Sequence, residues 1–118
     1  MNSTPTRATI AAVLLALAGC SGGDADEPLT AVARGERTYK NVCLACHAAD
    51  PTQDGSLGPA IAGSSRELIE ARVVHASYPE GYTPKRESQV MPKLPHLAGA
   101  VDDLAAYLNQ DRPGAPVP

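Results

Sequence analysis

Apolar positions along this chain follow two rhythms, and neither is the alternation of a sheet. Residues 8–18 form one almost unbroken run, Ala-Thr-Ile-Ala-Ala-Val-Leu-Leu-Ala-Leu-Ala. From residue 31 onward the pattern turns periodic. Val32, Gly35, Tyr39 and Val42 with Cys43 recur at helical spacing, which predicts a first helix over 31–45. Ser64-Ser65-Arg66-Glu67 has the S-x-x-E form of a capping box. It opens a predicted middle helix to about residue 76, with Leu68, Ile69, Val73 and the stem of Arg72 turned inward. Leu97, Val101, Leu104 and Leu108 predict a last helix over 97–109. Between the helices, residues 48–63 and 78–96 are punctuated by Pro51, Gly55, Gly58, Pro59 and Gly63, and by Pro79, Gly81, Pro84, Pro92 and Pro95. Both segments read as loops. Loops of this length in a compact domain are usually functional or wrapped around something. The expected fold is all-α, three main helices joined by long loops.

Composition changes the picture of the centre. A chain of 118 residues points to one domain, yet it has no Phe, no Trp and only four Tyr, at 39, 78, 82 and 107. Large aromatics bury about 150–250 Å² each and dominate most small cores. A small domain can hardly do without them. Something apolar that the sequence does not encode is expected to fill the middle.

The run 8–18 follows a short segment with one Arg and precedes the small residues Gly19 and Cys20, the pattern of an export signal. At 11 residues it falls well short of the about 20 needed to cross a bilayer. Leu17-Ala18-Gly19-Cys20 resembles the processing box of bacterial lipoproteins. The resemblance implies that 1–19 is removed and that Cys20 becomes a lipidated first residue. An ordinary signal peptide with an incidental Cys20 is the alternative. Two or three long acyl chains, at about 0.8 kcal/mol per buried CH₂, hold a protein on a membrane almost permanently. Ser21 rather than Asp after the cysteine favours an outer membrane where the host has one. Residues 20–30 then form a flexible acidic tether, 31–110 the domain, and 111–118, with Pro113, Pro116 and Pro118, a disordered tail. Losing Arg7 with the leader takes the formal charge from −3 to −4. No basic patch suggests nucleic acid.

The sharpest chemical signal is Cys43-Leu44-Ala45-Cys46-His47. A thioredoxin-like redox pair needs a βαβ setting, and none is visible. A zinc site needs four ligands, which would oblige His75 and His96 to join Cys43 and Cys46. The third option is C-x-x-C-H, the signature of c-type haem attachment. On a helical turn, positions i and i+3 share a face. Cys43 and Cys46 can therefore form thioethers to the two vinyl groups on one edge of a porphyrin, with His47 held beneath the iron as proximal ligand. With Cys20 taken by lipid, no cysteine remains for a disulfide. For the sixth iron ligand the candidates are Met91, in a Pro-rich loop before the last helix, and His96, five positions on. Met91 is favoured by that placement and because Met/His ligation suits cytochromes c. His75 falls in the predicted middle helix and reads as a surface or packing residue.

With these residues in view, the chain resembles small bacterial class I cytochromes c. The matching features are Gly35-Glu36-Arg37-Thr38-Tyr39, the haem box 43–47, Leu57-Gly58-Pro59, Met91-Pro92 and Asp103-Leu104-Ala105-Ala106-Tyr107-Leu108, together spanning about 31–109. The resemblance implies one covalent haem c with its iron, wrapped by the helices and loops. It implies that Gly35 and Tyr39 cross the last helix near Tyr107. It also implies that the Pro59 carbonyl accepts a hydrogen bond from His47, a contact that fixes the ring's tautomer and orientation. The loop 78–90 matches no part of the family pattern. Tyr82 and Arg86 there are either solvated or beside a haem propionate.

The expected function is a monomeric, membrane-tethered electron carrier on the periplasmic side, serving redox protein partners and acting on no small-molecule substrate. Lys40, Lys85, Arg86 and Lys93 are candidates for a basic docking rim, against an evenly solvated surface. The competing readings are a haem-based ligand sensor or peroxidase-type enzyme with a labile sixth ligand, and an electron-entry subunit of a larger oxidoreductase complex.

Overall fold

The computed structural model describes residues 28–88 and 90–111. The expected leader 1–19, the anchor Cys20, most of the tether and all but the first residue of the expected tail lie outside them. Among the described residues the fold is all-α. It has three helices, α1 (Ala31–Val42), α2 (Arg66–His75) and α3 (Val101–Leu108), with short 3₁₀ segments at Cys43–Ala45 and Pro95–Ala100 and no strand. None of these helices is long and apolar enough to cross a membrane.

Helix α1 starts where Thr30 caps it, its hydroxyl accepting from Ala33 N at 3.2 Å. Its inner face is Gly35 and Tyr39, and it crosses α3 at close range. A Cβ on Gly35 would stand 2.6 Å from the backbone carbon of Asp103 and 2.8 Å from Tyr107 Cβ. Only glycine lets the two helices approach this far. Next to the crossing the Tyr39 and Tyr107 rings meet at 5.3 Å in a tilted arrangement, within the range that aromatic pairs prefer. Tyr39 is fully buried, and its hydroxyl donates to Ala48 O at 2.6 Å. On the outer side, Arg34 forks onto Asp103 with contacts of 2.8 and 2.7 Å. The pairing holds the Asp103 carboxyl below its ordinary range.

Several helix boundaries differ from the sequence expectation. The first helix ends at Val42 rather than 45, because the N–H groups of Cys46 and His47 both turn back to Cys43 O and tighten the chain into 3₁₀ geometry. The middle helix is capped by Ser65, whose side chain accepts from Leu68 N, and not by Ser64. Ser64 Oγ instead donates to Ile61 O in the preceding loop. Glu67 therefore occupies the second helical position, and the reciprocal capping box does not form. That helix stops at His75, with Ala76 in the left-handed conformation at φ 53°. The last helix begins at Val101 rather than 97, and Pro95–Ala100 winds as a 3₁₀ segment before it. It ends at Leu108 rather than 109, and Asn109 Nδ2 donates to Ser64 O and to Ala105 O.

Helix α2 lays Ile69 and Val73 on this frame and joins α3 at the surface through Arg66, which contacts Asp102 and its own Glu70, each at 2.6 Å. The core is Tyr39, Ile69, Val73, Val101, Leu104, Tyr107 and Leu108. Around it Val32, Cys43, Ile61, Met91, Leu94 and Leu97 are only half-buried. Those half-covered residues mark where the molecule opens.

Candidate functional site

A cavity of about 280 Å³ lies between the core and the two long loops. Tyr39, Leu104 and Leu108 give it an apolar floor, and α2 contributes Leu68, Ile69 and Val73. Cys43, Cys46 and His47 line it together, and so do Pro59 and Met91. The sequence motif and the distal candidate therefore meet in one place, from loops far apart in the chain.

The segment after the motif is built around the His47 ring. Leu57 N and Gly58 N both donate to Cys46 O, at 3.2 and 2.9 Å, and Gly55 N donates to Gly58 O at 2.9 Å. Any Cβ on Gly58 would overlap the imidazole, so glycine there is what lets the loop lie flat against it. His47 Nδ1 is 2.9 Å from Pro59 O. A carbonyl can only accept, so Nδ1 carries the proton, and in the neutral ring Nε2 keeps the lone pair. In neutral imidazole that lone pair is the electron-pair donor a metal requires.

Cys43 and Cys46 are both free thiols, one 3₁₀ turn apart. Burial, with a smaller contribution from Cys46, pushes the Cys43 thiol up to about 11. Reactive C-x-x-C redox pairs rely on the opposite shift. Among the described residues there is also no strand to supply a βαβ setting. The zinc option fares no better: no group of three or more His, Cys, Asp or Glu converges among the described residues. His75, at the end of α2, is exposed.

Met91 is half-buried, packs against the core and lines the cavity, whereas His96 is exposed on the 3₁₀ segment and does not line it. Cys20 lies outside the described residues. Of the four cations considered for a docking rim, Lys93 is exposed and the other three have local partners. Lys40 pairs with Glu36 at 2.7 Å, Lys85 Nζ donates to Ala60 O at 2.7 Å, and Arg86 stands 3.6 Å from Asp54. Lys85 and Arg86 line the cavity, and the apolar side chains of Leu57 and Val90 are exposed at its margin.

Tyr82 and Arg86 both line the cavity. Tyr82 stacks on Tyr78 with centroids 5.4 Å apart, and the Arg72 guanidinium lies 4.3 Å over Tyr78. The sequence reading placed the Arg72 stem inward but missed this stack. Its only sequence signal is a pair of tyrosines in a Pro/Gly loop, which by itself does not announce a cation. Comparison with protein-family models, with curated proteins and with solved structures finds no match for this chain.

Proposed function

We propose that this protein is a mono-haem c-type cytochrome of the class I kind, tethered by lipid on Cys20 to the periplasmic side of a bacterial membrane. Its role is to carry single electrons between redox proteins. The observation that carries the proposal is the company on one apolar cavity: two cysteines a turn apart, a histidine whose Nε2 is left as a donor, and a methionine. That donor set fits an iron porphyrin better than a zinc ion or a redox disulfide. A core without Phe or Trp, bordered by half-buried apolar side chains, fits a large apolar guest.

Bound there, haem c supplies reversible one-electron chemistry at its iron. The chain supplies the rest. Cys43 and Cys46 would anchor the group through thioethers, and their short spacing fixes which edge is held. His47 would give a nitrogen donor whose orientation is set by the Pro59 carbonyl and by the flat approach of Gly58. Met91 would give a soft sulfur, a donor that favours the reduced metal and raises the potential. Ile69, Val73, Leu104 and Leu108 keep water from the site. Leu57 and Val90, exposed at its margin, offer a partner protein an apolar approach.

Absorption spectra of the purified protein and two variants test the ligand set. The oxidised protein is expected to show the weak far-red band of methionine-to-iron(III) ligation, lost in Met91→Ala and kept in His96→Ala. The reverse pattern would give the role to His96. Rapid carbon monoxide binding by the reduced wild type would favour the sensor or peroxidase reading. Cys20→Ala should release the protein from membranes with its spectrum unchanged, and a variant that stays membrane-bound would end the lipid-anchor proposal.

A further inference from the structure

One peptide group, Pro59–Ala60, touches two partners at once. Its oxygen receives His47 Nδ1–H at 2.9 Å, and its N–H donates to Asp54 Oδ1 at 2.8 Å. We propose that Asp54 is a positioning residue that tunes the electron-donating power of His47 through this single amide. The inference rests on the haem reading above.

The physics is that of a short hydrogen-bond chain. A carboxylate drawing on an amide N–H pushes electron density toward the carbonyl oxygen. Each bond in such a chain strengthens the next by about 10–30%. Bonds to an ionised acceptor are also stronger than neutral ones. The Pro59 oxygen therefore pulls harder on the Nδ1 proton, and the His47 ring becomes the more basic ligand. A more basic ligand favours the oxidised metal, so the charge on Asp54 lowers the potential. Two features temper the effect without cancelling it. The Asp54 side chain is 68% exposed, so water screens its charge, and Arg86 stands 3.6 Å from the same oxygen. The geometry itself is held firmly. Lys85 Nζ donates to Ala60 O on the far side of that residue, and just after Asp54 the backbone is held by Gly55 N on Gly58 O and Gly58 N on Cys46 O.

The test uses the full chain with its haem attached. Asp54→Asn keeps an acceptor oxygen and removes the charge. Its midpoint potential should rise, so that at the wild-type midpoint the ratio of reduced to oxidised protein increases about two- to fivefold, the scale of a modest change in one hydrogen bond. The His47 Nδ1–H proton resonance of the reduced protein should move upfield while the Met91 band persists. Asp50→Asn removes a nearby carboxylate whose Oδ1 accepts from Thr52 rather than from this peptide, and should leave the resonance in place. Arg86→Gln leaves Asp54 intact and removes the opposing cation, so the resonance should move downfield. That variant keeps the proposal testable if Asp54→Asn fails to mature. An unmoved resonance in Asp54→Asn, or in Arg86→Gln where the first cannot be made, overturns the relay, as does an equal shift in Asp50→Asn. A wild type without covalent haem would end the haem proposal itself, whereas a coloured wild type with an unmoved resonance ends only this one.

Discussion

The two sides of this small molecule are held together by different means. On one side, α1 and α3 cross at a glycine, and two tyrosine rings pack in a tilted pair with Tyr39 fully buried. On the other, the loops around the cavity are fixed by backbone hydrogen bonds and single polar contacts, while Cys43, Ile61, Met91 and Leu94 stay half-covered. The first side is complete as a piece of protein. The second has its polar groups arranged while its apolar side chains stay half-covered, and it is there that the proposed haem would sit.

That contrast orders the expected effects of perturbation. The largest should come from Cys43→Ala/Cys46→Ala, which removes the proposed anchors. Thermal unfolding followed by circular dichroism should lose its cooperative transition, because seven buried core residues cannot offset the ordering entropy of about 80 others. A sharp transition near the wild-type temperature would show that the loop side needs no guest. Gly35→Val attacks the closed side. Its side chain meets α3 backbone, which cannot yield as a side-chain tip does, and denaturant unfolding should show a loss of about 3 kcal/mol or more. A wild-type midpoint would remove the crossing as the anchor of the fold.

Tyr39→Phe keeps the ring and deletes the bond to Ala48 O, with an expected cost of about 1 kcal/mol in the same measurement. The smallest effect belongs to Arg34→Gln, because exposed ion pairs are weak. Its signature is a pH dependence. Arg34 holds the Asp103 carboxyl below its ordinary range, chiefly by hydrogen bonding, so the pair stabilises the fold above the unfolded carboxylate range near about pH 4 and fades as pH falls through the lowered folded value. Arg34→Gln should therefore lie closest to wild type in strong acid and differ most near neutrality. A difference of constant size across that range would mean that the pair is not its source.

Much of the candidate site's geometry was legible from the sequence because most of its residues lie close together in the chain. Cys43, Cys46 and His47 share one turn, and Gly58 and Pro59 meet the His47 ring only a dozen residues away. Helix boundaries were less legible, since they depend on partners the local pattern does not contain. Ser64 and Ser65 are equivalent as capping residues until Ile61 O claims the first of them. The start of α3 was obscured by apolar spacing that a 3₁₀ segment satisfies almost as well as an α-helix. The local partners of the surface cations were hidden for the same reason. Lys40 was paired by a neighbour on its own helix, but Lys85 and Arg86 found Ala60 and Asp54 across a loop closure no periodicity encodes. Asp54 was the least visible of all, because its meaning depends on which peptide group it meets.

In the proposed function, a covalently bound haem completes the half-covered side of this molecule. The most direct test is the intact mass of the purified, denatured protein, read together with its visible absorption after acid and organic extraction. The polypeptide should be heavier by one haem, with a colour that stays with the protein through extraction. A colourless chain at the mass of its amino acids and acyl groups would contradict it.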